Sequence, residues 1–123
     1  MKILIVDDSK TAQMMLKKSI PEAVAATSEI TLKANGQEGL DAYLAEKQDI
    51  VFLDLTMPVM DGYECLEKIM AHDKQAVIII VSADIQQSAK EKILAAGAKV
   101  MIRKPVNPQT IQAILHDFAP KAG

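Results

Sequence analysis

The sequence predicts an α/β fold in which one parallel β-sheet is covered by helices on both faces. Two observations carry this. Short runs rich in Ile and Val alternate with longer segments of helical period along all 123 residues. The three strongest runs, Lys2–Val6, Ile50–Leu53 and residues 76–81, are continuously apolar, as strands buried on both faces are.

Taken in chain order, Lys2–Val6 is the first strand, since its length and β-branching favour a strand over a buried helix. Ser9 then caps a helix whose apolar face holds Ala12, Met15, Leu16 and Ile20, and Pro21 prevents that helix from running on. Residues 28–33 alternate, with Ile30 and Leu32 on one face, which suits a less buried strand near an edge. A second helix over residues 37–47 groups Leu40, Tyr43 and Leu44. Ile50–Leu53 is the third strand, and a third helix over residues 62–71 groups Leu66, Ile69 and Met70. After the fourth strand, Ile85, Ala89, Ile93 and Ala96 form a stripe that stops before Gly97, a helix-ending residue. Residues 99–103 form a weaker fifth strand, and Ile111, Ile114, Leu115 and Phe118 mark the fifth helix. Strict βα alternation of this kind implies a parallel sheet with five helices on its two faces.

Composition bounds the rest. The chain has the length of a single domain, residues 1–123, and only five residues follow the last stripe, so no output domain is expected. A net charge of −2 with no basic stripe gives no reason to expect nucleic acid as a partner. Cys65 is the only cysteine, which excludes an intrachain disulfide and a cysteine-rich metal site. The apolar N-terminal run is too short for a signal peptide, and no run reaches the roughly 20 apolar residues of a membrane span. A cytoplasmic protein without membrane contact is the expectation.

In an open α/β sheet, ligands bind beyond the carboxyl ends of the strands. Strand one ends in Asp7-Asp8, strand three in Asp54, strand four in Ser82-Ala83 and strand five in Lys104-Pro105. Three carboxylates against one ammonium leave a charge of −2, which a divalent cation neutralises. Without it the carboxylates repel, and at least one pKa should rise. Hard oxygen ligands with room for water suit Mg²⁺. A phosphoryl group arriving there meets Lys104 and the Ser82 hydroxyl, and phosphoryl transfer asks mainly for positioning and charge stabilisation. Asp54, on the middle one of the three long apolar strands, is the best-placed nucleophile.

These motifs, Asp7-Asp8-Ser9, Asp54-Leu55-Thr56-Met57-Pro58-Val59-Met60-Asp61-Gly62, Val81-Ser82-Ala83 and Lys104-Pro105, run nearly end to end. Together the chain resembles a response-regulator receiver domain, of the stand-alone, chemotaxis-regulator kind. The resemblance implies a doubly wound, flavodoxin-like five-stranded sheet of order 2-1-3-4-5 and a histidine kinase as phosphodonor. It implies Asp54 as phosphoacceptor, with Asp8, the Asp54 side chain and the Thr56 backbone carbonyl as Mg²⁺ ligands, and Asp7 contributing through water. Lys104 would grip the phosphoryl group, Lys104-Pro105 would be a cis peptide, Ser82 would be the switch hydroxyl, and Gly62 would serve the turn into the third helix. The chain would not be an enzyme beyond catalysing its own phosphorylation and dephosphorylation.

One position departs from the family pattern. Receivers usually carry Tyr or Phe three residues before the lysine, where this chain has Met101. Met can fill the gap but offers no ring or hydroxyl. The expected output surface is the face of the fourth helix, fifth strand and fifth helix, with Gln86, Gln87, Lys90 and Met101. Thr56 and Asp84 are placed to tune the phosphoryl lifetime. His72 and His116 read as surface residues and Cys65 as packing. The Met14-Met15 pair, Met57 and Met60 read as core or loop packing rather than a contact surface, and Lys90 and Lys92 as a solvated face.

Rival readings are weaker. An aspartyl phosphohydrolase wants a second carboxylate two residues downstream, where Thr56 stands. No G-x-G-x-x-G or P-loop motif follows strand one. An EF-hand starting at Asp54 would place Thr56 and Pro58 at ligand positions. The remaining alternatives are a receiver fold acting as an interaction module without phosphorylation, and a relay or phosphate-sink receiver.

Overall fold

A computed structural model describes residues 1–83 and 86–120. Asp84 and Ile85, singled out above, lie outside the described residues. The elements run β1 (Lys2–Val6), α1 (Lys10–Ser19), α2 (Glu22–Ala26), β2 (Glu29–Lys33), α3 (Gly36–Ala45), β3 (Ile50–Leu53), α4 (Gly62–His72), β4 (Ile78–Ser82), α5 (Gln87–Ala95), β5 (Val100–Arg103) and α6 (Pro108–Phe118). All strand pairs are parallel and the sheet order is β2-β1-β3-β4-β5, as the family resemblance implies. The predicted fourth and fifth helices are α5 and α6.

Five helices were expected and six are present among the described residues. Pro21 does end α1, but it then begins a further helix, the five-residue α2. Proline is well suited to a helix start because its missing N–H would have no intrahelical acceptor there.

Strand alternation divides the core in two. Leu4, Val6, Val51, Leu53, Ile78 and Ile80 pack with residues of α3, α4 and α5. Ile3, Ile5, Ile50, Phe52, Ile79 and Val81 pack with Leu16 of α1 and Ile111, Ile114 and Leu115 of α6. Both faces of the three central strands are thus filled, which is why polar residues occur only at their ends, Lys2 in β1 and Ser82 in β4. The edge strand β2 is only partly buried. Two predicted stripe residues are not in the core. Met15 is 46% exposed and Leu44 is 47% exposed. Each lies next in sequence to a core residue, Leu16 or Tyr43, and a helix turns about 100° per residue, so the stripe is narrower than the apolar pattern.

The helix ends follow local chemistry. Ser9, Asn35, Asp61 and Asn107 each accept a backbone N–H from three residues downstream, capping α1, α3, α4 and α6. Helix α5 ends as Gly97 takes φ of +117°, which lets the Ala98 N–H return to the Ile93 carbonyl at 3.3 Å. A side chain is strained at that φ, so Gly97→Ala should cost about 1–2 kcal/mol in urea unfolding, without altering the fold.

Candidate functional site

Parallel register brings the site together. Val6 lies opposite Leu53, so the residues that follow them, Asp7 and Asp54, are neighbours at the carboxyl edge. The Asp54 N–H continues the ladder to the Val6 carbonyl at 3.0 Å, and the Lys104 N–H does the same to Ser82 at 2.9 Å. Carboxylate oxygens of Asp7, Asp8 and Asp54 lie within 4.8 Å of one another. The Lys104 ammonium is 2.7 Å from Asp7 Oδ2 and 3.6 Å from Asp54 Oδ1.

Asp7, Asp54 and Ser82 are buried, while Asp8 is exposed at the rim. Burial is the largest influence on the Asp54 carboxyl and raises its pKa above the ordinary value. The charge of Asp7 adds to this, while the Lys104 ammonium and the Leu55 N–H, 2.9 Å from Asp54 Oδ1, oppose it. Burial alone would lower the Lys104 pKa. The hydrogen bond to Asp7 and the charges of Asp54 and Asp7 outweigh it and raise the value. The rise anticipated for one carboxylate therefore falls on Asp54. One lysine does not balance three acids, and an all-oxygen donor set of this charge suits a small hard divalent cation.

The loop after β3 is held tightly. The Gly62 N–H donates to the Leu55 carbonyl at 2.9 Å, and a Cβ on Gly62 would stand 2.1 Å from the Asp54 carbonyl oxygen. Only glycine permits α4 to begin so close behind the acid, which gives the predicted turn residue its physical reason. The Met60 N–H bonds the Pro58 carbonyl at 2.8 Å around Val59, whose φ is +68° and which is 82% exposed. A β-branched residue in that region carries about 1–3 kcal/mol of strain, which only a well-anchored loop sustains. Met57 and Met60 are buried and supply that anchor, as packing residues. Thr56 is exposed on the same loop.

Other predicted residues fall as follows. Lys104-Pro105 is cis. Gln86 and Lys90 are exposed at the start of α5, Met101 is half-buried against the core, and the Lys92 ammonium stands 5.2 Å from the ring centroid of Tyr63. His72 and His116 are exposed and Cys65 is fully buried. Met15, read as a packing residue, instead lines a largely apolar cleft of about 320 Å³ that reaches Asp7 and Lys104 between α1 and Pro105-Val106. Sequence reasoning also missed Gln13, which is buried beside Asp7; a lone Gln between Ala12 and Met14 gives no periodic signal for it.

The chain is similar to known proteins in sequence and in fold. The family model "Response regulator receiver domain" matches residues 3–116. The chain is 40% identical over 116 residues to the chemotaxis protein CheY of Thermotoga maritima, covering 94% of each. It is 38% identical over 122 residues to CheY of Listeria monocytogenes, covering 97% of this chain and 98% of that protein. Among solved structures, a CheX-CheY-BeF3-Mg complex from Borrelia burgdorferi matches with a TM-score of 0.85 and 34% identity, over 97% of this chain and 90% of that one. With the family model matched over most of its length and the fold shared with a solved CheY-like receiver, this chain belongs to the response-regulator receiver-domain family and is CheY-like.

Proposed function

We propose that this receiver accepts a phosphoryl group on Asp54 from the phosphohistidine of a histidine kinase, with Mg²⁺ bound beside it, and thereby changes its partner-binding surface. The observation that carries the reading is the convergence of Asp7, Asp8 and Asp54 within 4.8 Å, with Lys104 reaching two of them. An Asp54 carboxylate oxygen attacks phosphorus. The P–N bond of the donor breaks, and its electron pair returns to the imidazole. Lys104 lies where it can meet charge on the phosphoryl oxygens, and Ser82 ends the neighbouring strand as the switch hydroxyl. Asp8, Asp54 and the Thr56 carbonyl would hold Mg²⁺, with Asp7 through water. The ion would offset the carboxylate charge and stabilise the charge developing on the transferred group.

The cleft beside Asp7 and Lys104 gives a phosphodonor protein an apolar surface next to the nucleophile. The face of α5, β5 and α6, with Gln86, Lys90 and Met101, is the proposed output surface toward a downstream protein. Its readout passes through the thioether of Met101 rather than through a ring. Chemistry is confined to forming and losing the chain's own aspartyl phosphate, in a cytoplasmic setting. No helix among the described residues is long and apolar enough to cross a membrane.

Incubation with acetyl phosphate and Mg²⁺ should add a single phosphoryl group to wild type by intact mass and none to Asp54→Ala; equal modification of both would remove the assignment. In a Mg²⁺ titration, Asp8→Ala should bind at least about tenfold more weakly than wild type, and unchanged affinity would refute its role as a ligand. Stability gives a third check. A carboxyl whose folded pKa is raised destabilises the fold above that pKa, and the penalty vanishes as the pH falls below its unfolded value. Asp54→Asn should therefore melt higher than wild type at neutral pH without Mg²⁺, with about 4 °C expected per kcal/mol in a domain of this size. The difference should shrink as the pH falls through the folded pKa of Asp54.

A further inference from the structure

Gln13 lies in the first turn of α1, five residues beyond Asp8, and is 8% exposed. Its side-chain amide donates twice. Nε2 is 2.8 Å from the Asp7 carbonyl oxygen and 2.9 Å from the Lys33 carbonyl oxygen. The same Lys33 carbonyl accepts the Asp7 N–H at 3.0 Å. Both backbone polar groups of Asp7 are thus tied to the end of β2, one directly and the other through Gln13. The carbonyl that Gln13 holds belongs to the peptide unit joining Asp7 to Asp8. Its orientation sets the direction in which the chain leaves β1 and where the Asp8 carboxylate stands relative to Asp7 and Asp54. The Ser9 N–H, donating to Asp7 Oδ1 at 2.8 Å, closes the same turn from the other side.

A buried carboxamide that donates both protons to two main-chain carbonyls is expensive to replace, because the Asp7 carbonyl loses its partner away from water and the Lys33 carbonyl keeps only the Asp7 N–H. β2 is an edge strand, and among the described residues β1 is its one strand neighbour. The amide therefore ties its end to the site where the ladder gives least support.

We propose that Gln13 is a positioning residue, whose amide fixes the Asp7-Asp8 peptide against the end of β2 and so sets the oxygen cluster for a divalent cation. The inference rests on the Mg²⁺-binding reading above. Gln13→Met keeps the length and the packing of the side chain but has no donor. Calorimetric titration with MgCl₂ should give an affinity about tenfold weaker than wild type, in the range seen when groups that orient metal ligands are removed. Amide hydrogen exchange should quicken at residues 7–9 and 33–35, with cooperative melting retained. Gly97→Ala serves as a control that loses stability far from the cluster, and its Mg²⁺ affinity should match wild type. Wild-type affinity in Gln13→Met would overturn the proposal, as would an equal loss in Gly97→Ala. If Gln13→Met fails to fold, Gln13→Asn carries the test. That variant keeps the amide but is one methylene too short to reach both carbonyls, so wild-type Mg²⁺ affinity there would overturn the proposal equally. A wild-type chain that takes up no Mg²⁺ would fail the cation reading itself, and the role of Gln13 with it.

Discussion

The mutual repulsion of three carboxylates at one edge of the sheet is the constraint on which the rest of the site depends. Asp7, Asp8 and Asp54 come together because β1 and β3 are parallel neighbours in a register that puts Asp54 beside Asp7. A fold selected only for stability would not bury two acids at adjacent strand ends. Lys104, delivered from β5 across the end of β4, meets part of this charge with one short and one longer contact. The remainder stays uncompensated within the chain and adds to burial, the larger cause, in raising the pKa of Asp54. In the proposed reaction that residual negative charge would draw in a cation, and the cation would let a dianionic phosphoryl group approach an anionic nucleophile.

The surroundings keep these acids in place against that repulsion. Gly62 lets the backbone of α4 start in contact with the Asp54 carbonyl, and the Asp61 side chain caps the helix there. Val59 holds an unfavourable φ between Pro58 and the buried Met60, so the loop is kept in shape by its anchors rather than by local preference. On the other side of the cluster, Ser9 serves twice: its hydroxyl caps α1 and its N–H binds Asp7. Much of the loop chemistry therefore serves to position carboxylates.

Much of this was legible in the residues themselves. Continuous Ile and Val runs specify strands covered on both faces, and the weaker alternation of β2 marks it as an edge, which is where it lies. The site residues could be picked out because each lies at or just beyond the end of a strand, and parallel topology sends every strand's carboxyl end to the same edge. The strand order itself came with the family resemblance, since periodicity says nothing about which strands are neighbours. What could not be read depends on three-dimensional neighbours. Helix α2 needed Pro21 to begin a helix as well as end one. Met15 and Leu44 satisfy the helical pattern yet face outward, and Gln13 looks like any polar helix residue until two carbonyls are found against its amide. Val59 at positive φ runs against its own preference, so no local rule finds it.

In the proposed reaction Asp54, rather than its acidic neighbours, carries the phosphoryl group. Borohydride reduction of the phosphorylated chain converts an acyl phosphate to an alcohol and marks the residue that bore it, and peptide sequencing then locates the mark. Homoserine is expected at position 54 only, dependent on Mg²⁺ during phosphorylation. Homoserine at position 7 or 8, or none in a chain that has gained phosphate, would contradict it.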